Sequence, residues 1–302
     1  MKRGLLAVLV VPFVAACGSA PTVVAARVTP DVGRGKTVTV KVQDRPFQLH
    51  VPSGYDPAAK VPLVILLHGF RANGAIQEAY FKLTAESDRH GFLYATPDGT
   101  KNRNGDRFWN ATAACCDFER TGVDDSAYLH RLIEAVKSQY PVDPKRVYFV
   151  GHSNGAFMAY RMACEHSTEI TAIVSLAGAA DNDASRCTPE RPVSILEIHG
   201  TSDRTIRYDG GANVGNPYPS VATTLAGWRR HNGCGDRADT SAPPMDLDGG
   251  LSGNDTTVTA YVTGCRNATR VELWSIKNGG HIPAFTPNFA PAVVAFLLAR
   301  TA

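Results

Sequence analysis

A chain of 302 residues that is 44% hydrophobic and 20% charged can bury a full core, and it falls within the size range of one large α/β domain. Its net charge of +3 is spread over 31 basic and 28 acidic residues without a basic stripe, which argues against nucleic acid as a partner. No CxxC pair and no HExxH helix occurs, so neither a metal nor another cofactor is expected.

Lys2 and Arg3 precede an apolar run over 5–14 that is too short to span a bilayer, the pattern of a signal peptide. It ends in Val14-Ala15-Ala16-Cys17, which resembles a bacterial lipobox with Cys17 as the lipidated mature N-terminus. Residues 1–17 are therefore read as a signal peptide with lipobox, 18–36 as a flexible tether and 37–302 as the folded domain. The expected location is extracellular or cell-envelope, with the membrane touched only through the N-terminal lipid.

Within the domain, 37–42 and 47–51, broken at Asp44-Arg45-Pro46, read as an antiparallel hairpin at a sheet edge. Short apolar runs follow at 61–67, 92–95, 147–150, 172–176, 193–198 and 271–276, each a candidate strand buried on both faces. Between them, Leu129, Leu132, Ile133 and Val136 fall at helical spacing behind the capping residues Asp124 and Asp125, with Pro144 as the stop. The stretch 204–262 is rich in Gly, Pro and Asp, holds one expected helix near 220–230, and reads as an insertion or lid over the strand ends. This alternation predicts an α/β fold with a mostly parallel sheet and helices on both faces.

With Cys17 set aside, Cys115, Cys116, Cys164, Cys187, Cys234 and Cys265 form an even set, suited to three disulfides in an oxidising compartment. Cys234 and Cys265 lie late in the chain, apart from the others, and are expected to pair. Adjacent Cys115 and Cys116 are expected to reach separate partners among Cys164 and Cys187, in an order the sequence leaves open.

The chemistry is concentrated in Gly151-His152-Ser153-Asn154-Gly155, a G-x-S-x-G pattern directly after an apolar strand and before a helical pattern. That setting presents Ser153 as a nucleophile on a tight turn, where side chains at 151 and 155 would clash. Such a serine needs an acid and then a histidine later in the chain. Asp203 lies on the loop after the 193–198 run and His281 on the loop after the 271–276 run, so both can converge on Ser153 at the carboxyl ends of the strands. Asp209 and Asp181 are the competing carboxylates, and Asp203 sits closest behind its strand. His68, His152 and His199 read as turn or network residues rather than bases. An oxyanion hole is expected from the backbone N–H groups of Asn154, which follows the nucleophile, and of Phe70, after the His68-Gly69 turn.

Taken together, Leu66-Leu67-His68-Gly69, Thr96-Pro97-Asp98-Gly99, Trp109-Asn110 with Cys115-Cys116, Gly122-Val123-Asp124-Asp125, Ala163-Cys164-Glu165, Ile198-His199-Gly200-Thr201-Ser202-Asp203 and Gly279-Gly280-His281 resemble the polyhydroxybutyrate depolymerase and feruloyl esterase-like family of secreted α/β-hydrolases. The resemblance covers nearly the whole mature chain. It implies the α/β-hydrolase fold and a serine carboxylic ester hydrolase with the triad Ser153, Asp203 and His281. It also implies a place for Trp109 at the substrate pocket, next to His152 of the elbow, while a core-packing role for Trp109 stays open. Two departures bear on substrate. Ile282-Pro283 stands where many members carry an aromatic residue before the proline, and little sequence follows His281 to form an appended polymer-binding module. Small or soluble esters of feruloyl, acetyl or hydroxybutyrate-oligomer type, handled by a monomer, are the resulting expectation. The alternatives are an acyltransferase that uses the same triad on cell-envelope alcohols and a non-enzymatic binding lipoprotein, which would be expected to have lost a triad member.

Overall fold

The computed structural model describes residues 33–302; the signal peptide, Cys17 and most of the tether read from the sequence lie outside the described residues. The first described strand, β1 (Lys36–Val42), pairs antiparallel with β2 (Arg45–Val51) across a two-residue turn at Gln43 and Asp44. Gln43 takes φ 51°, the left-handed conformation that tight hairpins need. The break expected at 44–46 is thus one residue earlier and shorter: Arg45 and Pro46 belong to β2, with Pro46 facing Lys41 in the register.

There follow β3 (Val61–Leu67), α1 (Gly74–Phe81), α2 (Leu83–His90), β4 (Leu93–Thr96) and a small hairpin of β5 (Thr100–Lys101) with β6 (Arg107–Phe108). Next come α3 (Asp125–Gln139), β7 (Val142–His152), α4 (Asn154–Glu165), β8 (Ala172–Leu176) and β9 (Ser194–Gly200). A second small hairpin, β10 (Gly211–Asn213) with β11 (Asn216–Tyr218), precedes α5 (Val221–Asn232), β12 (Thr256–Tyr261), β13 (Val271–Ile276) and α6 (Phe289–Leu298).

Nine strands form one sheet in the order β1-β2-β4-β3-β7-β8-β9-β13-β12. The six central strands, β4 to β13, are mutually parallel, and antiparallel pairs occur only toward the two edges. Because side chains alternate across a strand, β3 sends Leu63, Ile65 and Leu67 to one face and Val64 and Leu66 to the other. The first face is covered by α3, α4 and α5 through Leu129, Leu132, Phe157, Leu225 and Trp228. The second is covered by α1, α2 and α6 through Phe81, Leu83, Phe289, Val293 and Leu297. All of β3, β8 and β9 is buried, as a sheet covered on both faces requires. This is the α/β-hydrolase architecture.

Three elements depart from the sequence reading for identifiable reasons. Helix α3 ends at Gln139, not at Pro144, because Tyr140 precedes Pro141 and turns extended, and Pro144 lies within β7. Of the stretch 204–262, β12 is an edge strand of the main sheet and α5 packs on β9 and β13, so much of it belongs to the body of the fold. The run TTVTAY is threonine-rich and only alternately buried, as suits an edge strand with one wet face. Helices α1 and α2 carry no apolar stripe; their buried residues include Gly74, Gln77, Glu86 and Ser87, which hydrophobic periodicity does not detect.

The disulfides are Cys115–Cys116, Cys164–Cys187 and Cys234–Cys265. The last agrees with the expected pairing. The others correct it: Cys115 and Cys116 join each other, since Cys164 at the end of α4 already faces Cys187 with their Cα atoms 5.4 Å apart, well within bridging distance. Replacing Cys234 and Cys265 together by serine should lower the stability of the folded domain by about 2–4 kcal/mol, read as a lower urea midpoint with an m-value that rises as the unfolded chain expands. An unchanged midpoint would show that this bridge does not constrain the unfolded chain.

Candidate active site

Strand β7 delivers Ser153 into a turn from which α4 starts at once. Ser153 has φ 53° and ψ −118°, its N–H donates to the Leu176 carbonyl at 2.8 Å, and its carbonyl accepts from Ala156 N at 2.9 Å. A Cβ at position 151 would be driven into the Gly155 carbonyl, and one at 155 into the Leu67 carbonyl, so the bend closes only with glycine at both.

Two further strand ends bring their loops to this turn. After β9, Asp203 accepts from the backbone N–H groups of Thr205 at 2.8 Å and Ile206 at 3.0 Å through Oδ1. Its Oδ2 lies 2.7 Å from His281 Nδ1, and His281 Nε2 lies 3.0 Å from Ser153 Oγ. Hydroxyl, imidazole and carboxylate are therefore in series, with His281 in the tautomer whose Nδ1–H donates to Asp203 and whose Nε2 accepts from the serine. Neither Asp209 nor Asp181 is bonded to His281; Asp209 is exposed and Asp181 pairs with Arg186.

The histidine loop is fixed from several sides. Ser202 N–H donates to Gly279 O at 3.0 Å and Asn278 N–H to Thr201 Oγ1 at 2.8 Å, which ties the aspartate and histidine loops together. Beyond His281, Tyr80 OH donates to Pro283 O at 2.7 Å, and buried Asp248 accepts from Ala284 N at 3.0 Å. From below, His152 reaches the His281 carbonyl with Nε2 at 3.2 Å. Burial, with the neighbouring His281 adding to it, pushes the His152 pKa down to about 3, so His152 is neutral and donates from Nε2.

Asp203 is held as a carboxylate. Burial works against its charge, but hydrogen bonds from His199, His281 and Thr205 outweigh burial and hold its pKa below the usual carboxylate range.

The turn after β3 lies against the elbow. A Cβ on Gly69 would sit 3.3 Å from His152 Nδ1 and 3.6 Å from Ser153 Cβ, so the chain carrying Phe70 passes beside the serine. His68 is buried and its pKa is lowered to about 4 chiefly by burial; neutral, it donates from Nδ1 to Gly69 O and accepts from Gly99 N–H at Nε2, both at 2.8 Å. Asn154 clamps the backbone of Trp109, accepting from its N–H at 2.7 Å and donating to its carbonyl at 2.8 Å. Trp109 Nε1–H in turn donates to His68 O at 3.1 Å.

Trp109 is 0% exposed and His152 6%. Of the two roles left open for Trp109, core packing is the one its burial fits, with the indole supporting the loop that carries Gly69 and Phe70 from behind; the placement of His152 at the substrate pocket is corrected, since its imidazole underpins His281. A groove of about 700 Å³, lined among others by Phe118, Arg120, Tyr160, Arg161 and Arg186, lies along α4, and neither Ser153 nor His281 is on its wall.

One cluster has the composition of a metal site. His130, His166 and Glu169 bring ligand atoms within 4.8 Å of one another. The two rings, however, stack face to face at 5.0 Å, Lys137 Nζ sits 3.0 Å from Glu169, and Ser126 Oγ lies 2.9 Å from His166 Nε2. In-plane lone pairs of parallel rings do not converge on one ion, so the three residues form a hydrogen-bonded surface network.

Sequence reasoning missed Tyr80 and Asp248, whose roles depend on long-range packing; it read His199 as a turn or network residue, and the structure places it in a network. Glu197 carried a signal: a carboxylate inside the apolar run Val193-Ser194-Ile195-Leu196-Glu197-Ile198 needs a partner. In the structure that partner is His199, 2.8 Å away.

The family model "Esterase PHB depolymerase" matches residues 46–221, from β2 to the start of α5. The protein NocK of Nocardia uniformis subsp. tsuyamanensis, named an esterase, is 28% identical over 86% of this chain and 76% of its own length. Feruloyl esterase B of Piromyces equi is 27% identical over 76% of this chain; the aligned part is 41% of that longer protein. Among solved structures, an acetyl xylan esterase from Aspergillus awamori superposes with a TM-score of 0.63 at 14% identity, over 87% of this chain and 99% of its own, a likeness of fold.

Replacing Tyr80 by phenylalanine should leave the fold intact, at a cost of about 0.5–1.5 kcal/mol for the lost hydrogen bond. Hydrolysis of an ester substrate should nevertheless slow several-fold, because the segment after His281 loses an anchor. Unaltered kinetics at unaltered thermal midpoint would remove Tyr80 from the support of the site.

Proposed function

The chain belongs to the PHB depolymerase esterase family and is a carboxylic ester hydrolase, and from that premise we propose that it works through a Ser153–His281–Asp203 triad on small or soluble esters. The observation that carries this reading is the unbroken hydrogen-bonded series from Ser153 Oγ through His281 to Asp203, at 3.0 and 2.7 Å.

The chemistry follows from that order. His281 Nε2 takes the Ser153 proton as Oγ attacks the ester carbonyl carbon, and Asp203 stabilises the imidazolium that forms. The carbonyl π electrons move onto oxygen, and the resulting oxyanion is held by the backbone N–H groups of Phe70 and Asn154. Collapse of this intermediate breaks the bond to the alcohol, which leaves with the proton from His281. Water, deprotonated by the same imidazole, then releases the acid from the acyl-serine. Asn154 opens α4, where the first backbone N–H groups lack intrahelical acceptors, and this favours its role as a donor.

The named activities of the relatives, on feruloyl and acetylxylan esters, favour esters of aromatic or acetyl acids on a soluble alcohol as substrates. Ile282, 67% exposed beside His281, offers an apolar rather than a stacking surface there. Export with a lipid on Cys17 is part of the same proposal. The export part is supported by the pairing of all six described cysteines in disulfides, the state of an oxidising compartment.

Ser153→Ala should reduce kcat for a p-nitrophenyl acetate-type ester by roughly four or more orders of magnitude. Activity near wild type in that variant sinks the mechanism, and transfer to an added alcohol in excess of hydrolysis would mark the enzyme as an acyltransferase. In cells, Cys17→Ala should move the protein from the membrane fraction to the soluble fraction; continued sedimentation with membranes would disprove the lipid anchor.

A further inference from the structure

Behind Asp203, away from His281, lies a second pair of buried ionisable groups. Glu197 and His199 stand two residues apart on β9, on the same face of the sheet, and are 0% and 1% exposed. His199 Nδ1 is 2.8 Å from Glu197 Oε1, and His199 Nε2 is 2.8 Å from the Ile206 carbonyl and 3.5 Å from Asp203 Oδ2. A carbonyl oxygen can only accept, so Nε2 carries a proton. Glu197 Oε2 accepts from Tyr160 OH at 2.8 Å, which suits a carboxylate whose Oε1 accepts from Nδ1 as well. With both nitrogens donating, the His199 ring is an imidazolium between two anions.

We propose that Glu197 and His199 are positioning residues for the triad: the buried His199 cation, held by Glu197, fixes the Asp203 carboxylate toward His281 and limits how basic His281 becomes. The proposal rests on the triad reading above. Asp203 is thereby shared between two imidazoles, one permanently charged and one charged only during turnover. A resting series of Glu197 anion, His199 cation and Asp203 anion leaves one net negative charge facing His281, and the proton His281 takes from Ser153 brings the group to neutrality. Without His199, the full Asp203 charge would act on His281.

The remaining groups around the ring are consistent with this assignment. Tyr208 contributes its ring edge to face at 5.6 Å, and its hydroxyl bonds Ser275 on β13 at 2.8 Å. Ser175 on β8 faces Glu197 in the register, and Tyr160 reaches Glu197 from α4. None of these adds a second cation. Although burial alone would lower it, the bonds to Asp203 and Glu197 raise the His199 pKa to about 10. A raised value means that the stability the charged ring supplies is complete below the ordinary value of 6.5 and is lost as pH rises through about 10.

The test compares kcat/KM against pH for wild type, His199→Gln, Glu197→Gln and the double variant, with thermal melting as a check on folding. In His199→Gln the acidic limb should move up by about one pH unit, while Glu197→Gln, which discharges His199, should shift it the same way by less. The double variant should resemble Glu197→Gln, because both leave Asp203 as the one charge behind His281. Folded variants that lose rate with the limb unmoved would reduce the pair to a packing role and overturn the proposal. Wild-type protein provides a second measurement that needs no variant: nitrogen-15 histidine spectra at pH 8 should show one buried ring with both nitrogens protonated, and a neutral tautomer there would overturn it equally. An active Ser153→Ala enzyme would instead refute the triad itself, so the two failures are distinguishable.

Discussion

The backbone at Ser153 sits in a conformation that costs a non-glycine residue about 1–3 kcal/mol, and the surroundings keep it there. Its N–H is fixed to the end of β8, and its carbonyl starts the hydrogen-bond ladder of α4. Gly155 lies against the Leu67 carbonyl of β3. Relaxing the serine would therefore disturb β3, β8 and α4 together, three of the best-buried elements of the fold. The strain holds the side chain clear of the sheet edge, in reach of groups from other strands.

Those groups arrive because β7, β8, β9 and β13 are parallel neighbours, so their carboxyl ends lie along one rim. Strand β9 ends in the aspartate loop and β13 in the histidine loop. The two loops approach so closely that a Cβ on Gly200 would overlap the Gly279 carbonyl. Hydrogen bonds between them set the separation of Asp203 and His281, the preorganisation that the proposed acyl transfer would use.

The central strands were legible in the sequence because their runs are mainly apolar, interrupted by few polar residues such as Ser175, Glu272 and Ser275; β3, β8 and β13 have the bounds expected. The elbow, its acid and its histidine were legible for a related reason: each directly follows such a run. What was not legible depended on partners distant in sequence. Asp98 and Asp125, prominent in the motifs, are structural: Asp98 accepts from Gly74 N, and Asp125 binds Arg45 and the Asn110 N–H, which brace the loop leading to Trp109. Trp109 was placed at the pocket by resemblance, yet the bonds from Asn154 and to His68 turn it inward. The disulfide partners of Cys164 and Cys116 also depended on how α4 and the loop after β8 meet, which spacing along the chain does not encode.

The direction of β1 separates the first described strand end from the candidate site. Two antiparallel pairings, β1 with β2 and β2 with β4, return β1 to the direction of the parallel strands. The chain thus joins the sheet at Lys36 on the rim opposite the one that bears Ser153, Asp203 and His281. Whatever is joined ahead of Lys36 therefore enters the sheet at the end of the parallel strands remote from Ser153, His281 and Asp203.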